Sequence, residues 1–201
     1  MSPFALPSIP ADLTWRNAPL DWSASPDGIL AVTAGPLTDT FTSPSTGISQ
    51  DNAPAALFTP PDPAFLLSAK VAVDFAADFD AGVLQVRAGE ALWAKLCFEY
   101  SPQRQPMVVS VVTRGASDDC NHVVIDGREI YFRVAVTPST VAFHYSHDAT
   151  YWNFVRYFTL GQFDAVQAGF SSQSPRGQRC AAIFSDIRYR SGELRDLRNG
   201  E

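Results

Sequence analysis

The chain has 201 residues, within the ~200–250 that β-sandwiches commonly reach as one domain. Hydrophobic residues make up 46% and charged residues 18%, enough apolar surface for a full core, which excludes global disorder. A formal net charge of -6 with no Lys/Arg run argues against a nucleic-acid backbone or an anionic membrane as the partner.

Read from the N-terminus, Met1 to Pro7 has no basic start and no sustained apolar stretch, so no signal peptide is expected. No window approaches the ~18 apolar residues of a membrane span, and the cytoplasm is the expected location. Proline and glycine then punctuate short runs rich in Val, Phe, Ala, Leu and Tyr, many with a period of two, which predicts strands. In the first part, strands are predicted over 15–19, 29–35 and 55–59, before a hard break at Pro60-Pro61-Asp62-Pro63. Longer strands follow over 65–77, 82–88, 91–100, 107–114, 121–125, 129–137, 140–147, 151–160, 165–172 and 181–189. Asp126-Gly127 carries a strong hairpin signal, and Pro138-Ser139 and His147-Asp148-Ala149 mark further tight connections. No amphipathic helix of ordinary length is present. Sequential strands without crossover helices predict an all-β, two-sheet antiparallel sandwich over 1–190. The charged segment 191–201 lacks an apolar face and reads as a loose tail or short surface turn.

Alternation sorts the strand residues into two faces. Leu92, Ala94, Leu96, Phe98 and Tyr100 read as core, against Trp93, Lys95, Cys97 and Glu99. Ile130, Phe132, Val134 and Val136 oppose Tyr131, Arg133 and Ala135. Val141, Phe143 and Tyr145 oppose Ala142, His144 and Ser146, and Leu84 and Val86 oppose Gln85 and Arg87. If these strands share one sheet, their outward sets form a shallow face of aromatic platforms and planar hydrogen-bonding groups. Sugars bind such faces: a ring covers the C–H side of a pyranose, and Arg, Gln, Glu and Lys bond its hydroxyls. An ordinary sheet surface with cross-strand pairs is the competing reading.

Glu99 is the most suggestive acid, because Trp93 and Lys95 share its strand face. No second acid lies on that strand, and the E-x-D-x-x-E strand pattern is absent, so Glu99 with Lys95 reads as an ion pair or polar clamp before an acid/base couple. Ser146-His147-Asp148 resembles a triad in letters alone, since adjacent strand residues cannot converge. Asp78 with Asp80, and Asp118-Asp119 with Asn121, are acidic loop clusters read as turn formers rather than a calcium site. Cys97, Cys120 and Cys180 have no zinc spacing and read as reduced thiols. No metal or cofactor is expected.

Asp80-Ala81-Gly82, Trp93-Ala94-Lys95 with Glu99, Ser110 to Thr113 with Ser117-Asp118, and Tyr145-Ser146-His147-Asp148 with Trp152 and Arg156 together resemble the DUF1349 family, over roughly residues 13–189. That family includes the fungal regulation-of-enolase proteins. The resemblance implies a concanavalin A-like jelly roll, a fold shared with lectins, carbohydrate-binding modules and glycosidases, and it carries over no catalytic residue. The sequence departs from the family pattern at Asp119-Cys120, where an aromatic is expected, and at Ala149, where the family turns with glycine. Trp152 and Arg156 are expected on one strand face, with Trp152 stacking on Arg156 or capping the core, and with Arg156 on the side of Arg133 and His144.

Three functions fit these residues. The first is a carbohydrate or sugar-metabolite site on the concave sheet, built from Gln85, Trp93, Lys95, Glu99, Tyr131, Arg133, His144 and Arg156. The second is a cytoplasmic interaction or regulatory protein of sugar metabolism, for which a homodimer is one assembly. The third is a saccharide-active enzyme using Glu99.

Overall fold

The computed structural model describes residues 1–161 and 165–201. Among the described residues there are sixteen strands and no helix: β1 (Thr14–Arg16), β2 (Asp21–Ala24), β3 (Leu30–Ala34), β4 (Thr40–Thr42), β5 (Ser49–Asp51), β6 (Ala55–Phe58), β7 (Phe65–Val73), β8 (Ala81–Gly89), β9 (Leu92–Tyr100), β10 (Pro106–Arg114), β11 (Ala116–Val124), β12 (Glu129–Val136), β13 (Val141–Ser146), β14 (Asn153–Phe158), β15 (Gln167–Gln173) and β16 (Cys180–Ser191). The first sheet runs β1-β6-β15-β8-β9-β10-β11 and the second β14-β13-β12-β7-β16-β3-β2, with β4 and β5 as a separate hairpin. Every pairing is antiparallel.

The inward-facing sets are those the alternation predicts. Leu84, Leu96, Phe98 and Phe170 from the first sheet meet Val71, Phe132, Phe143 and Phe184 from the second in one continuous core, all fully buried. Each such aromatic or leucine side chain contributes about 1.5–3 kcal/mol by leaving water. No helix is long and apolar enough to cross a membrane. All three cysteines are free, with Cys97 and Cys180 buried and Cys120 exposed.

The structure departs from the sequence pattern in three places. Asp126-Gly127 does not close a hairpin: β11 ends the first sheet and β12 lies inside the second, so this turn carries the chain between layers. The Asp118-Asp119 segment is part of the edge strand β11 rather than a loop, and its exposure explains why it shows no apolar alternation. The strands β2, β4 and β5, only three or four residues long, fall in segments not predicted as strands.

Arg156 on β14 pairs with Phe143 and therefore leans toward the core side, where Nη2 meets Asp118 Oδ2 at 2.8 Å and joins the free edges of the two sheets. It does not share a face with Arg133 and His144, and Trp152 stacks on Arg133 rather than on Arg156.

The β13–β14 hairpin depends on Asp148. Its Oδ1 accepts bonds from the backbone N–H of Thr150 at 2.8 Å and Tyr151 at 2.9 Å, and from the Ser146 hydroxyl at 3.0 Å. These bonds pull the carboxyl down to about 2. Ala149 sits at φ 61, the left-handed conformation that glycine adopts without strain. A Cβ there costs about 1–2 kcal/mol, partly offset by the lower unfolded-state entropy of alanine. Ala149→Gly is therefore expected to stabilise the protein by about 0.5–1 kcal/mol, read as a rise in denaturation midpoint with an unchanged m-value.

Candidate functional site

The predicted single face is divided between the two outer surfaces of the sandwich. Gln85, Trp93, Lys95 and Glu99 lie on the outer face of the first sheet, whereas Tyr131, Arg133 and His144 lie on that of the second. Period-two alternation assigns a residue to the outside without saying which outside.

On the first sheet the hairpin β4–β5 covers part of the outer face. Asp51 on β5 accepts from Arg16 at 2.7 Å and from Arg87 at 2.9 and 3.1 Å, and Arg16 also reaches Glu90 at 2.6 Å. Burial pushes the Asp51 carboxyl up, but the bonds from Arg16 and Arg87 outweigh it and hold the group below its ordinary value. Under this hairpin Trp93 packs with Val83, Cys97 and Val111, and Phe41 closes over them. Trp93 is 2% exposed, so it is a core residue and not a stacking platform. Gln85 is likewise buried, opposite Lys95 and Gly169, and its Nε2 has no hydrogen-bond partner among the described residues.

Beside the covered area the face opens into a pocket of about 540 Å³. Its floor is Lys95 and Glu99 on β9 with Val109 and Val111 on β10. Its sides are Asp39 and Phe41, Asp119 and Asn121 on β11, and the loops holding Phe79, Gln103 and Arg176. Lys95 Nζ donates to Asp39 Oδ1 at 3.1 Å and to Gln173 Oε1 at 2.8 Å. Burial would push this ammonium down, but Asp39 above all holds it above its ordinary value. Gln173 and Glu99 stand in one row on either side of Ala81, whose small side chain leaves them room. Gln173 Nε2 donates to Phe79 O at 3.1 Å, fixing that loop to the floor.

Phe79 has φ 69, a strained conformation for an aromatic residue and one that often marks a functional loop. Asp80 maintains it by accepting from the N–H of Ala76 and Ala77 at 3.0 and 2.8 Å and from the Ser174 hydroxyl at 2.7 Å. The Phe79 ring lines the pocket with Arg176 4.9 Å above it. Asp39, Phe41, Phe79, Gln173 and Arg176 were not legible as site residues, because they sit in loops, a three-residue strand and a strand end where alternation has no purchase. The only signal was Asp80-Ala81-Gly82, which marks the loop they share.

Glu99 is 9% exposed, and its carboxyl takes no hydrogen bond from the described residues. Burial pushes it up to about 8, with Asp39 and Asp119 reinforcing the effect against the opposing pull of Lys95. At neutral pH it is mostly a carboxylic acid, able to donate a proton into the pocket as well as accept one. Among the described residues no group of three or more His, Cys, Asp or Glu is placed to hold a metal.

On the other outer face, Tyr131 donates to Asp186 at 2.8 Å, His144 Nε2 lies 2.6 Å from Leu197 O, and Arg133 donates to Gly200 O at 2.9 Å. Residues 192–201 are thus not a loose tail. Leu194 and Leu197 pack on Leu66, Ala135 and Ala142. The Ser110 hydroxyl lies 2.9 Å from His122 Nε2, a nucleophile–base distance, but Ser110 is fully buried and no substrate reaches it.

A family model described as "Protein of unknown function (DUF1349)" matches residues 15–192. The chain belongs to DUF1349. A functionally unknown protein from Saccharomyces cerevisiae superposes on this DUF1349 chain with a TM-score of 0.83 at 22% identity, covering 90% of this chain and 97% of the yeast protein. The GH43 protein BlXynB from Bacillus licheniformis matches 85% of the chain at 16% identity and a TM-score of 0.67; this chain spans 34% of that protein. The alginate lyase from Klebsiella pneumoniae matches 85% of the chain and 84% of its own length, at 12% identity and a TM-score of 0.54. At these identities the likeness establishes the fold, a jelly-roll sandwich. No curated protein matches the sequence.

Glu99 makes stability pH-dependent in a definite direction. A carboxyl whose folded value is raised favours the folded state fully below its unfolded value near 4.5, and this contribution is lost as pH rises through about 8. The wild-type melting temperature should therefore fall further between pH 5 and 9 than that of Glu99→Gln. Parallel melting profiles would show that Glu99 is not held protonated.

Proposed function

We propose that this DUF1349 domain binds a neutral saccharide in the pocket above Lys95 and Glu99. The observation that carries the reading is the unpartnered carboxyl of Glu99 at the floor of a 540 Å³ pocket, a volume in the ~300–1,000 Å³ range of small-molecule sites. Lys95 is matched by Asp39, and Glu99 is mostly uncharged near neutral pH, so the floor carries little net charge. Protonated Glu99 and Lys95 offer donors, and Asp39, Asn121 and Gln173 add amide and carboxylate oxygens, a set suited to sugar hydroxyls. The Phe79 and Phe41 rings supply the apolar walls against which a pyranose C–H face packs. The fold is shared with part of a GH43 protein and with an alginate lyase, which is consistent with a saccharide ligand.

One observation favours a second reading, a saccharide-active enzyme. A carboxyl held protonated near neutrality is suited to act as general acid, and Asp119 lines the same pocket as a further carboxylate. Release of nitrophenol from a nitrophenyl xyloside, abolished in Glu99→Gln, would establish it.

Titration of xylobiose, cellobiose and N-acetylglucosamine by calorimetry tests the binding reading. At least one is expected to bind, and Phe79→Ala should weaken it about tenfold, the loss expected from removing an aromatic contact worth about 1–1.5 kcal/mol. Absence of binding by all three, or undiminished binding by the folded Phe79→Ala protein, would contradict it.

A further inference from the structure

The outer face of the second sheet carries a second, different constellation. Strand register places His144, Arg133, Ser68 and Arg188 in one row across β13, β12, β7 and β16, with Arg190 one pair further along β16. None of the three arginines has a carboxylate within ion-pair distance among the described residues, although the chain carries a net charge of -6. Two acids on the strands of this sheet are otherwise engaged, Asp186 accepting from Tyr131 and Glu129 pairing with Lys70 at 2.7 Å, and in the covering segment Glu201 pairs with Arg195.

The centre of the row is covered by residues 192–201. Arg133 is 8% exposed and His144 fully buried, yet Arg133 Nε and His144 Nδ1 have no hydrogen-bond partner among the described residues. Their other nitrogens meet two backbone carbonyls, Gly200 O and Leu197 O. Trp152 stacks under the guanidinium at 4.3 Å and fixes its plane. Burial and the repulsion of Arg190 lower the Arg133 value to about 10. Burial holds His144 as a neutral imidazole, its value lowered to about 4, with Nε2 donating to Leu197 O. Arg133 is the buried cation: it meets only a neutral carbonyl and has Nε left over, and an anion would complete it.

We propose that this row is a binding site for a phosphate group, occupied in the present conformation by the carbonyl oxygens of residues 192–201 acting as a strap. Three guanidinium groups suit a doubly charged phosphate better than a single carboxylate, and the planar guanidinium fork matches phosphate oxygens. The site lies on the side of the sandwich opposite the Glu99 pocket and is independent of the saccharide reading.

Gly200 offers a way to lift the strap without removing it. Its φ is +82, and a Cβ there would lie 2.7 Å from Arg133 Nη2 and 2.8 Å from Trp152 Cβ. Gly200→Ala and a chain ending at Gly192 are titrated with inorganic phosphate by calorimetry or by NMR of the arginine side chains. Both are expected to bind phosphate at least tenfold more tightly than the parent chain, and Arg133→Gln in the Gly200→Ala background should remove the gain. Thermal melting confirms folding; if the shortened chain does not fold, Gly200→Ala decides alone. Phosphate binding no tighter in folded Gly200→Ala than in the parent, a gain that survives Arg133→Gln, or equal binding of acetate would overturn the proposal.

Discussion

A buried ammonium cannot be left unpaired, and Lys95 imposes that constraint on everything around it. The side chain is almost completely enclosed on the outer face of the first sheet, where its charge requires partners that its own strand does not contain. Asp39 comes from the segment leading into the β4–β5 hairpin, and Gln173 from the end of β15. Satisfying Lys95 therefore draws two remote parts of the chain onto one strand. Gln173 in turn holds the carbonyl of Phe79, and Asp80 holds the adjoining turn and Ser174. The pocket wall thus follows from one charge and the hydrogen bonds that spread from it.

The same chain of contacts explains how a strained residue persists beside the pocket. A left-handed Phe79 costs about 1–3 kcal/mol and endures only where neighbours over-determine the loop. Here three bonds to Asp80 and one from Gln173 do so. Glu99 is the complementary case. It stands next to the satisfied Lys95 but receives none of its bonds, and burial keeps its proton in place. A paired cation and a neutral acid on one strand face, four residues apart, give the pocket polarity with little net charge.

Much of the fold was legible because a strand buried on one side alternates strictly. Leu84 and Val86, Ala94, Leu96 and Phe98 of β9, and Phe132 with Val134 fall on the inner faces their spacing assigns. Alternation does not say which sheet a strand joins, so it sets Lys95 beside Arg133, although the two lie on opposite outer surfaces. Trp93 reads as exposed in the sequence because its cover, β4 and β5, is too short and too polar to register as strands. Residues 191–201 read as loose because a charged composition hides the pair Leu194 and Leu197, which nonetheless seat the segment on the second sheet. The site's aromatic, Phe79, occupies a loop, where no periodicity operates. Residue chemistry identified Lys95 and Glu99; only tertiary contact supplies what surrounds them.

Ligand recognition organised around Lys95 and Glu99 on the first sheet has a direct consequence for the residues that respond to a saccharide. Amide and side-chain NMR spectra of the intact chain, recorded during titration with xylobiose, test it most directly. Saturable shifts confined to Phe79, Lys95, Glu99, Gln173 and their neighbours are expected, with Tyr131, Arg133 and Arg188 unmoved. Shifts centred on the second sheet, or none at any saccharide concentration, would contradict it.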